Sequence, residues 1–266
     1  MEINYQETTS DLLKRIDIHK IYGSRDIDRW MLDLLQPKNQ IKILDVGCGA
    51  GKQCFLYNLY SGGTAEITGG DVNKELLARA ISENKKIGDP VKFLDLDFNK
   101  QFPFEDEQFD LESCCFAIYY AVDIPATIRE MARVLKPGGR LFTTGPMPEN
   151  KSLFYDVIKE ATGKMIPPMP GSSRYSTQIL AAMKNTFTKV ESHIFENPLV
   201  FPEVEPFMEY THASLDEDRK LWTSLFNGKD DFNNVLDNIR IVATRKLKQN
   251  GSLVMTKVVG GFIATK

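Results

Sequence analysis

The sequence predicts an α/β protein built on a mostly parallel sheet with helices on both faces. Three observations carry this reading. Strand-like and helix-like apolar patterns alternate over residues 41–144, a glycine cluster follows the first strand pattern, and 42% hydrophobic content over 266 residues supplies a sizeable core. The length suits one domain over 1–266, with a core of about 38–145, 187–197 and 251–266 and a helical cap drawn from 1–36, 146–186 and 198–250.

The elements follow in order. Residues 27–35 put Ile27, Trp30, Met31, Leu34 and Leu35 on one helical face, and Pro37 closes that helix. A less regular helical pattern precedes it, with Leu12, Leu13, Ile16 and Tyr22 among charged residues. Ile41, Ile43, Leu44 and Val46 form a short apolar run, the signature of a buried parallel strand. Residues 51–60 read as helix, 65–70 as strand, and 74–84 as helix with Asn73 at its N-cap. Strands at 91–96 and 109–115 follow, then a helix at 124–135 ended by Lys136-Pro137-Gly138-Gly139, then a strand at 140–144.

After Gly145 the alternation loosens. Three prolines keep 165–171 out of helix and strand interiors. A helix at 176–185 and a strand at 189–195 come next, and 203–248 reads as helical pieces interrupted at Asn227-Gly228. Residues 252–266 are β-rich about Gly260-Gly261, a pair that predicts a bulge or tight bend. The stretch 203–248, with the proline-rich loop, is expected to form a lid over the strand ends. Its Phe201, Phe207, Met208, Tyr210, Trp222 and Phe226 either line an apolar pocket or glue the insert to the sheet.

Charge and cysteine usage exclude several classes. Lys and Arg number 33 against 36 Asp and Glu, a net charge of -3, so no basic excess neutralises a phosphate backbone and no nucleic-acid partner is expected. Residues 1–10 are polar and acidic, and no apolar stretch reaches the roughly 20 residues of a membrane span. Cys48, Cys54, Cys114 and Cys115 match neither a metal pair nor a redox pair, which predicts reduced thiols, no metal site and a cytoplasmic location. Adjacent Cys114 and Cys115 should point to opposite faces of a strand.

The chemistry centres on Asp45-Val46-Gly47-Cys48-Gly49-Ala50-Gly51, between the first strand and the first helix after it. Glycines there let backbone approach a ligand at the carboxyl edge of a sheet. A dinucleotide fingerprint wants a small residue where Lys52 stands, and a P-loop wants Ser or Thr where Gln53 stands. Both fit badly. The run Ile43 to Gly51 instead resembles the first motif of class I S-adenosylmethionine (SAM)-dependent methyltransferases. The resemblance continues through Asp71 after the second strand, Asp97 after the third, Phe102-Pro103-Phe104 with Phe109-Asp110, and Arg133-Val134-Leu135-Lys136-Pro137-Gly138-Gly139. The ending Lys257-Val258-Val259-Gly260-Gly261-Phe262-Ile263-Ala264 resembles the last strand of the small-molecule, quinone-biosynthesis-like branch.

This resemblance implies a Rossmann-like seven-stranded sheet whose last strand is antiparallel. It also implies SAM as cofactor and S-adenosylhomocysteine as product. Cofactor contacts are then expected from Asp45, Gly47, Cys48, Gly49 and Gly51, from Asp71 (ribose hydroxyls) with Val72, and from Asp97 (adenine amino group) with Phe98 on the purine. The backbone of Cys115 would meet the methionine end, and Tyr22, with His19, belongs to the N-terminal helix that covers the cofactor in similar enzymes. Tyr119 and Tyr120, where relatives often carry a histidine pair, and His212 in the helical insert are the expected catalytic residues, His212 as general base. The partner implied is a small, apolar or natural-product-like methyl acceptor, methylated at O, N or C by in-line displacement. A SAM-binding protein that does not methylate, or a methyltransferase acting on protein or RNA, are the alternatives. Glu112, mid-strand where an apolar residue is usual, has no place in this scheme.

Overall fold

The computed structural model describes residues 9–37, 40–166, 170–218, 225–227 and 231–266. Five strands follow in parallel: β1 (Lys42–Val46), β2 (Glu66–Asp71), β3 (Val91–Asp95), β4 (Phe109–Cys115) and β5 (Leu135–Pro146). Two longer strands, β6 (Lys189–Phe201) and β7 (Leu253–Thr265), complete a seven-stranded sheet of order β3-β2-β1-β4-β5-β7-β6. β7 pairs antiparallel with both neighbours, as the resemblance implies. The order reverses between β1 and β4, which opens a crevice at the carboxyl ends of those strands.

Helices cover both faces because neighbouring strand residues bury in opposite directions. Leu44, Val46, Cys114 and Leu141 pack in one core with Ile128 and Met131 of α5 (Ile124–Val134). Ile43, Ile67, Leu111 and Phe142 pack in another with Met31 and Leu35 of α2 (Ile27–Leu35). Cys114 and Cys115 do divide between these two faces. Local chemistry sets the helix starts. Asp26 caps α2, Asn73 caps α4 (Lys74–Lys86), and Asp123 caps α5, which carries Pro125 in its first turn. α3 (Lys52–Tyr60) starts at Gly51.

A third core lies under the cap. There α1 (Thr9–Tyr22), α6 (Ser152–Thr162), α9 (Val204–Asp218) and α10 (Phe232–Asn250) pack on the far halves of β6 and β7. Phe201, Phe207 and Tyr210 are buried in this core with Phe154, Leu199, Ile239 and Met255. These aromatics are thus used as mortar between helices and sheet; Trp222 lies outside the described residues.

Three local expectations are corrected. Gly260-Gly261 makes no bulge, since β7 keeps an unbroken register with β5 and β6 through both residues. The glycines instead admit large neighbours: an added Cβ would stand 2.6 Å from Met147 Sδ at Gly260 and 2.7 Å from the Trp30 indole at Gly261. Helical structure begins earlier than expected, at Pro170, where a first-turn proline loses no hydrogen bond. The short α7 (Pro170–Ser173) continues through a wide π turn, Arg174–Ile179, into α8 (Leu180–Thr186); residues 167–169 of the proline-rich stretch lie outside the described residues. Finally, β6 runs on to Phe201, into the stretch the sequence assigned to the cap, because alternate Phe195, Asn197, Leu199 and Phe201 all bury one face against α1, α2 and their linker. Among the described residues no helix is long and apolar enough to cross a membrane.

Candidate active site

The glycine turn is fixed by backbone before any side chain acts. The amides of Gly47 and Cys48 both donate to the Gly70 carbonyl at the end of β2, at 2.7 and 3.0 Å. Gly47, Gly49 and Gly51 have φ of 70°, 54° and 81°, the left-handed region that disfavours other residues. Two of the three are glycine for packing as well. A Cβ at Gly47 would lie 2.6 Å from that of Ala117, and one at Gly51 would lie 2.8 Å from the Phe93 ring. Gly49 differs: the nearest atom to its missing Cβ is 3.8 Å away, on Leu76. At Gly49, then, a side chain would meet only ordinary van der Waals contact, and the glycine answers to its left-handed backbone rather than to crowding.

Asp71 closes the cradle. Its Oδ2 accepts the Gly49 amide at 2.7 Å and its Oδ1 accepts the Asn73 amide at 2.8 Å. Each oxygen keeps a lone pair, so the carboxylate can brace the turn and still receive two hydroxyls. Val72 beside it is exposed. The Asp71 carbonyl also accepts the Leu96 amide at 3.1 Å, which carries the next loop to the same edge. In that loop, burial raises the Asp97 carboxyl, but the Asn99 amide at 2.9 Å and the Lys100 ammonium at 3.2 Å outweigh it and hold the group below its ordinary value. Phe98 follows, half-buried against the core.

Beneath the turn, Asp45 is buried and accepts Ser113 Oγ at 2.6 Å and Cys54 Sγ at 3.5 Å. Burial pushes its carboxyl up to about 7, against the lowering effect of those two donors. Cys48 is buried with its thiol toward the Gly49 carbonyl. The Cys115 thiol lies 3.9 Å from Met31 Sδ, and burial, with the nearby Asp45 charge, raises it far from thiolate formation. α2 closes this side, tied to the start of α3 by the 2.7 Å ion pair of Asp28 with Lys52.

Beyond β4 the edge continues at Phe116, which the sequence reading missed. It follows β4 with φ 57°, left-handed backbone for a bulky residue, and is 38% exposed. Such strain persists only where surroundings enforce it, and it gathers at functional sites. A short turn, Ile118–Tyr120, then stacks Tyr119 and Tyr120 with ring centroids 4.8 Å apart, and Tyr119 packs over Gly171.

Other expected residues stand apart. Tyr22 packs against Phe201 of β6, with ring centroids 5.1 Å apart, so α2 rather than Tyr22 adjoins the glycine turn. His212 is exposed and meets Phe232 of α10 edge-on, with centroids 5.4 Å apart. Phe207 and Tyr210 are the buried aromatics of α9, and Tyr210 lies beside His19 of α1. Nothing places His212 at the strand ends, and the general-base expectation finds no geometry to rest on.

A glycine turn braced by a carboxylate, on a sheet of this order, defines a Rossmann-like fold of the methyltransferase type. Residues 44–143 match the methyltransferase domain family. The chain is 31% identical over 167 residues to the ubiquinone/menaquinone biosynthesis C-methyltransferase UbiE of Psychromonas ingrahamii, covering 59% of this chain and 64% of that one. The match thus spans just under two thirds of that relative's length. Among solved structures, the YcgJ protein of Bacillus subtilis superposes with TM-score 0.59 at 20% identity, over 90% of this chain and 97% of the other. A SAM-dependent methyltransferase from Aquifex aeolicus gives 0.54 at 20% identity, over 71% and 92%. At these identities the structures speak for the fold.

Proposed function

We propose that this protein binds SAM along the carboxyl edge of β1 and β2 and transfers its methyl group to O, N or C of a small organic acceptor held under the cap. The observation that carries the reading is the Gly49–Asp71 pair, a left-handed, uncrowded glycine backbone locked by a carboxylate with lone pairs to spare. Asp71 would receive the ribose hydroxyls, Asp97 and Phe98 the adenine, and the turn from Gly47 to Gly51 the methionine end. When bound, SAM supplies a methyl group on a sulfonium sulfur, electrophilic toward a nucleophile aligned behind it.

The protein's own work is placement. Fixing two reactants in line is worth up to roughly 7–11 kcal/mol in favourable cases. The turn achieves this on the cofactor side through backbone bonds, while Phe116, Tyr119 and Tyr120 border the acceptor side. The cap core, resting on β6 and β7, shields the edge from water, which leaves a nucleophile poorly solvated. Among the described residues, His212 is not placed at the strand ends as a base. That suits acceptors that ionise readily or are nucleophilic as they stand. The relationship to a quinone-biosynthesis methyltransferase supports a small apolar acceptor. Incubation with methyl-labelled SAM and a panel of phenols, amines and quinols tests the proposal. Label is expected on an acceptor; label that stays on SAM with every acceptor, in protein shown to bind SAM, would contradict it.

A further inference from the structure

A hollow of about 450 Å³, the size of a small-molecule pocket, lies between the start of α5 and the helical segment α7–α8. None of its lining residues belongs to the glycine turn or to the Asp71 and Asp97 loops. One wall is a single helical face, on which Arg174, Gln178, Ala181, Ala182 and Asn185 recur at helical spacing. The two alanines keep that wall low, where longer side chains would fill the space. The facing wall runs from Val122 to Pro125, and its Ile124 is buried in the same core as Ala182.

Arg174 is the residue that packing leaves unexplained. It opens the π turn, a local widening that recurs at functional sites. Tyr175 beside it turns inward and stacks on Phe262, with ring centroids 4.6 Å apart. Arg174 Nη2 donates to the Ala121 carbonyl. Its Nε is buried without a hydrogen-bond partner, and among the described residues no carboxylate forms an ion pair with this guanidinium. Arginine stays charged at any working pH, so a half-buried guanidinium without an acidic partner costs free energy. Docking α8 on α5 accounts for Ala182 and Ile124; it does not account for a hollow lined by an unpaired cation.

We propose that this hollow is a second ligand site, one that binds a small monocarboxylate with an apolar body. The free edge of the Arg174 guanidinium receives the carboxylate, and the exposed amides of Gln178 and Asn185 are further donors. The planar guanidinium fork matches a carboxylate. The start of α5 has little to add, since Asp123 Oδ1 already accepts the Ala126 amide at 2.9 Å and Pro125 has no N–H. Asp123 also sets one negative charge in the facing wall, which disfavours a dianion such as a phosphate monoester. Val122, Ile124 and the two alanines supply the apolar surface. The inference does not depend on the methyl-transfer reading.

The test is a nuclear magnetic resonance titration of the full chain, read at the Arg174 Nε–H signal, which Arg174→Lys identifies by removing it. Phenylacetate is titrated against phenylacetamide, its uncharged counterpart, and against phenyl phosphate. The expected result is a saturable shift with phenylacetate, at an affinity about tenfold or more above either of the others. Ala181→Leu places a good helix former at an exposed position and fills the hollow. It should abolish the shift while leaving the melting temperature level. Saturating S-adenosylhomocysteine should not displace phenylacetate. No shift with phenylacetate, equal binding of acid and amide, or a shift that survives in folded Ala181→Leu would overturn the proposal. Tighter binding of phenyl phosphate would overturn the carboxylate assignment, and displacement by S-adenosylhomocysteine would overturn the claim of a second site. The wild-type comparison decides the matter even if the variant does not fold.

Discussion

The two halves of the sheet edge are built in different ways. On the cofactor side, over β1 and β2, backbone amides and carbonyls hold the geometry, and Asp71 braces the turn from a position fixed by its strand. Beyond β4 and β5, on the side proposed for the acceptor, side chains from α1, β7, α9 and the loop after β5 converge on Tyr210. The first half is local in sequence and rigid by construction. The second is assembled from distant segments by the packing of the cap core, and substitution can retune it without touching the turn. A shared reaction with varied acceptors calls for that division.

The largest effect expected is on the cofactor half. Asp71→Ala removes the brace on Gly49 together with the proposed ribose acceptor, and should weaken SAM binding by about a hundredfold, the cost of lost hydrogen bonds to a charged group. Calorimetry that finds affinity unchanged would detach Asp71 from the cofactor and erase the contrast between the halves.

The next effects fall between the halves, in β4 and β1. Glu112 is fully buried, its two carboxylate oxygens have no hydrogen-bond partner, and burial, with the charge of Glu130 adding, holds its carboxyl well above the ordinary value. The folded state therefore keeps a proton that the unfolded chain releases near pH 4.5, and this group's contribution to stability falls as pH rises above that value. Glu112→Met should raise stability at pH 8 by roughly 1–3 kcal/mol and shrink the loss between pH 5 and pH 8, read by denaturant unfolding. Asp45 acts in the same sense over a bounded window. Its carboxyl moves from 3.8 to about 7, so stability should decline across that interval and level off above it. Asp45→Asn should flatten that part of the curve. A slope unchanged in both variants would show that neither group carries its proton into the folded state.

The smallest effect belongs to His212. It is exposed on α9 and in ring contact with Phe232, so His212→Ala should shift stability by no more than about 0.5 kcal/mol and leave SAM affinity intact. A large loss of methyl transfer would move the acceptor half to a different face of the cap.

These differences explain what was legible in the sequence. Residues 43–51, Asp71 and the strand and helix alternation lie in short stretches whose periodicity and glycines speak for themselves, and the seven strands with an antiparallel last one follow from their resemblance to a family. Asn73 announced the start of α4 by the same local chemistry that makes it a cap. The cluster around Tyr210 was not legible, since residues 19, 151, 210 and 257 share no pattern until the sheet and cap bring them together. His212 stood out by residue type, but helical phase decides which side chains face inward, and on α9 Phe207 and Tyr210 do so while His212 does not. Phe116 was missed because positive φ at an aromatic residue leaves no mark in sequence. Gly260-Gly261 was misread for a related reason: glycine marks a bulge or a close neighbour alike, and only the structure shows Met147 and Trp30 there.

The central claim is that the cradle from Gly47 to Gly51, locked by Asp71, holds an adenosyl ligand. Titration calorimetry of the purified protein with SAM, with S-adenosylhomocysteine and with NAD tests it most directly. The account predicts saturable one-to-one binding of both adenosyl ligands and none of NAD. NAD binding in their place, or heat from none of the three, would contradict it.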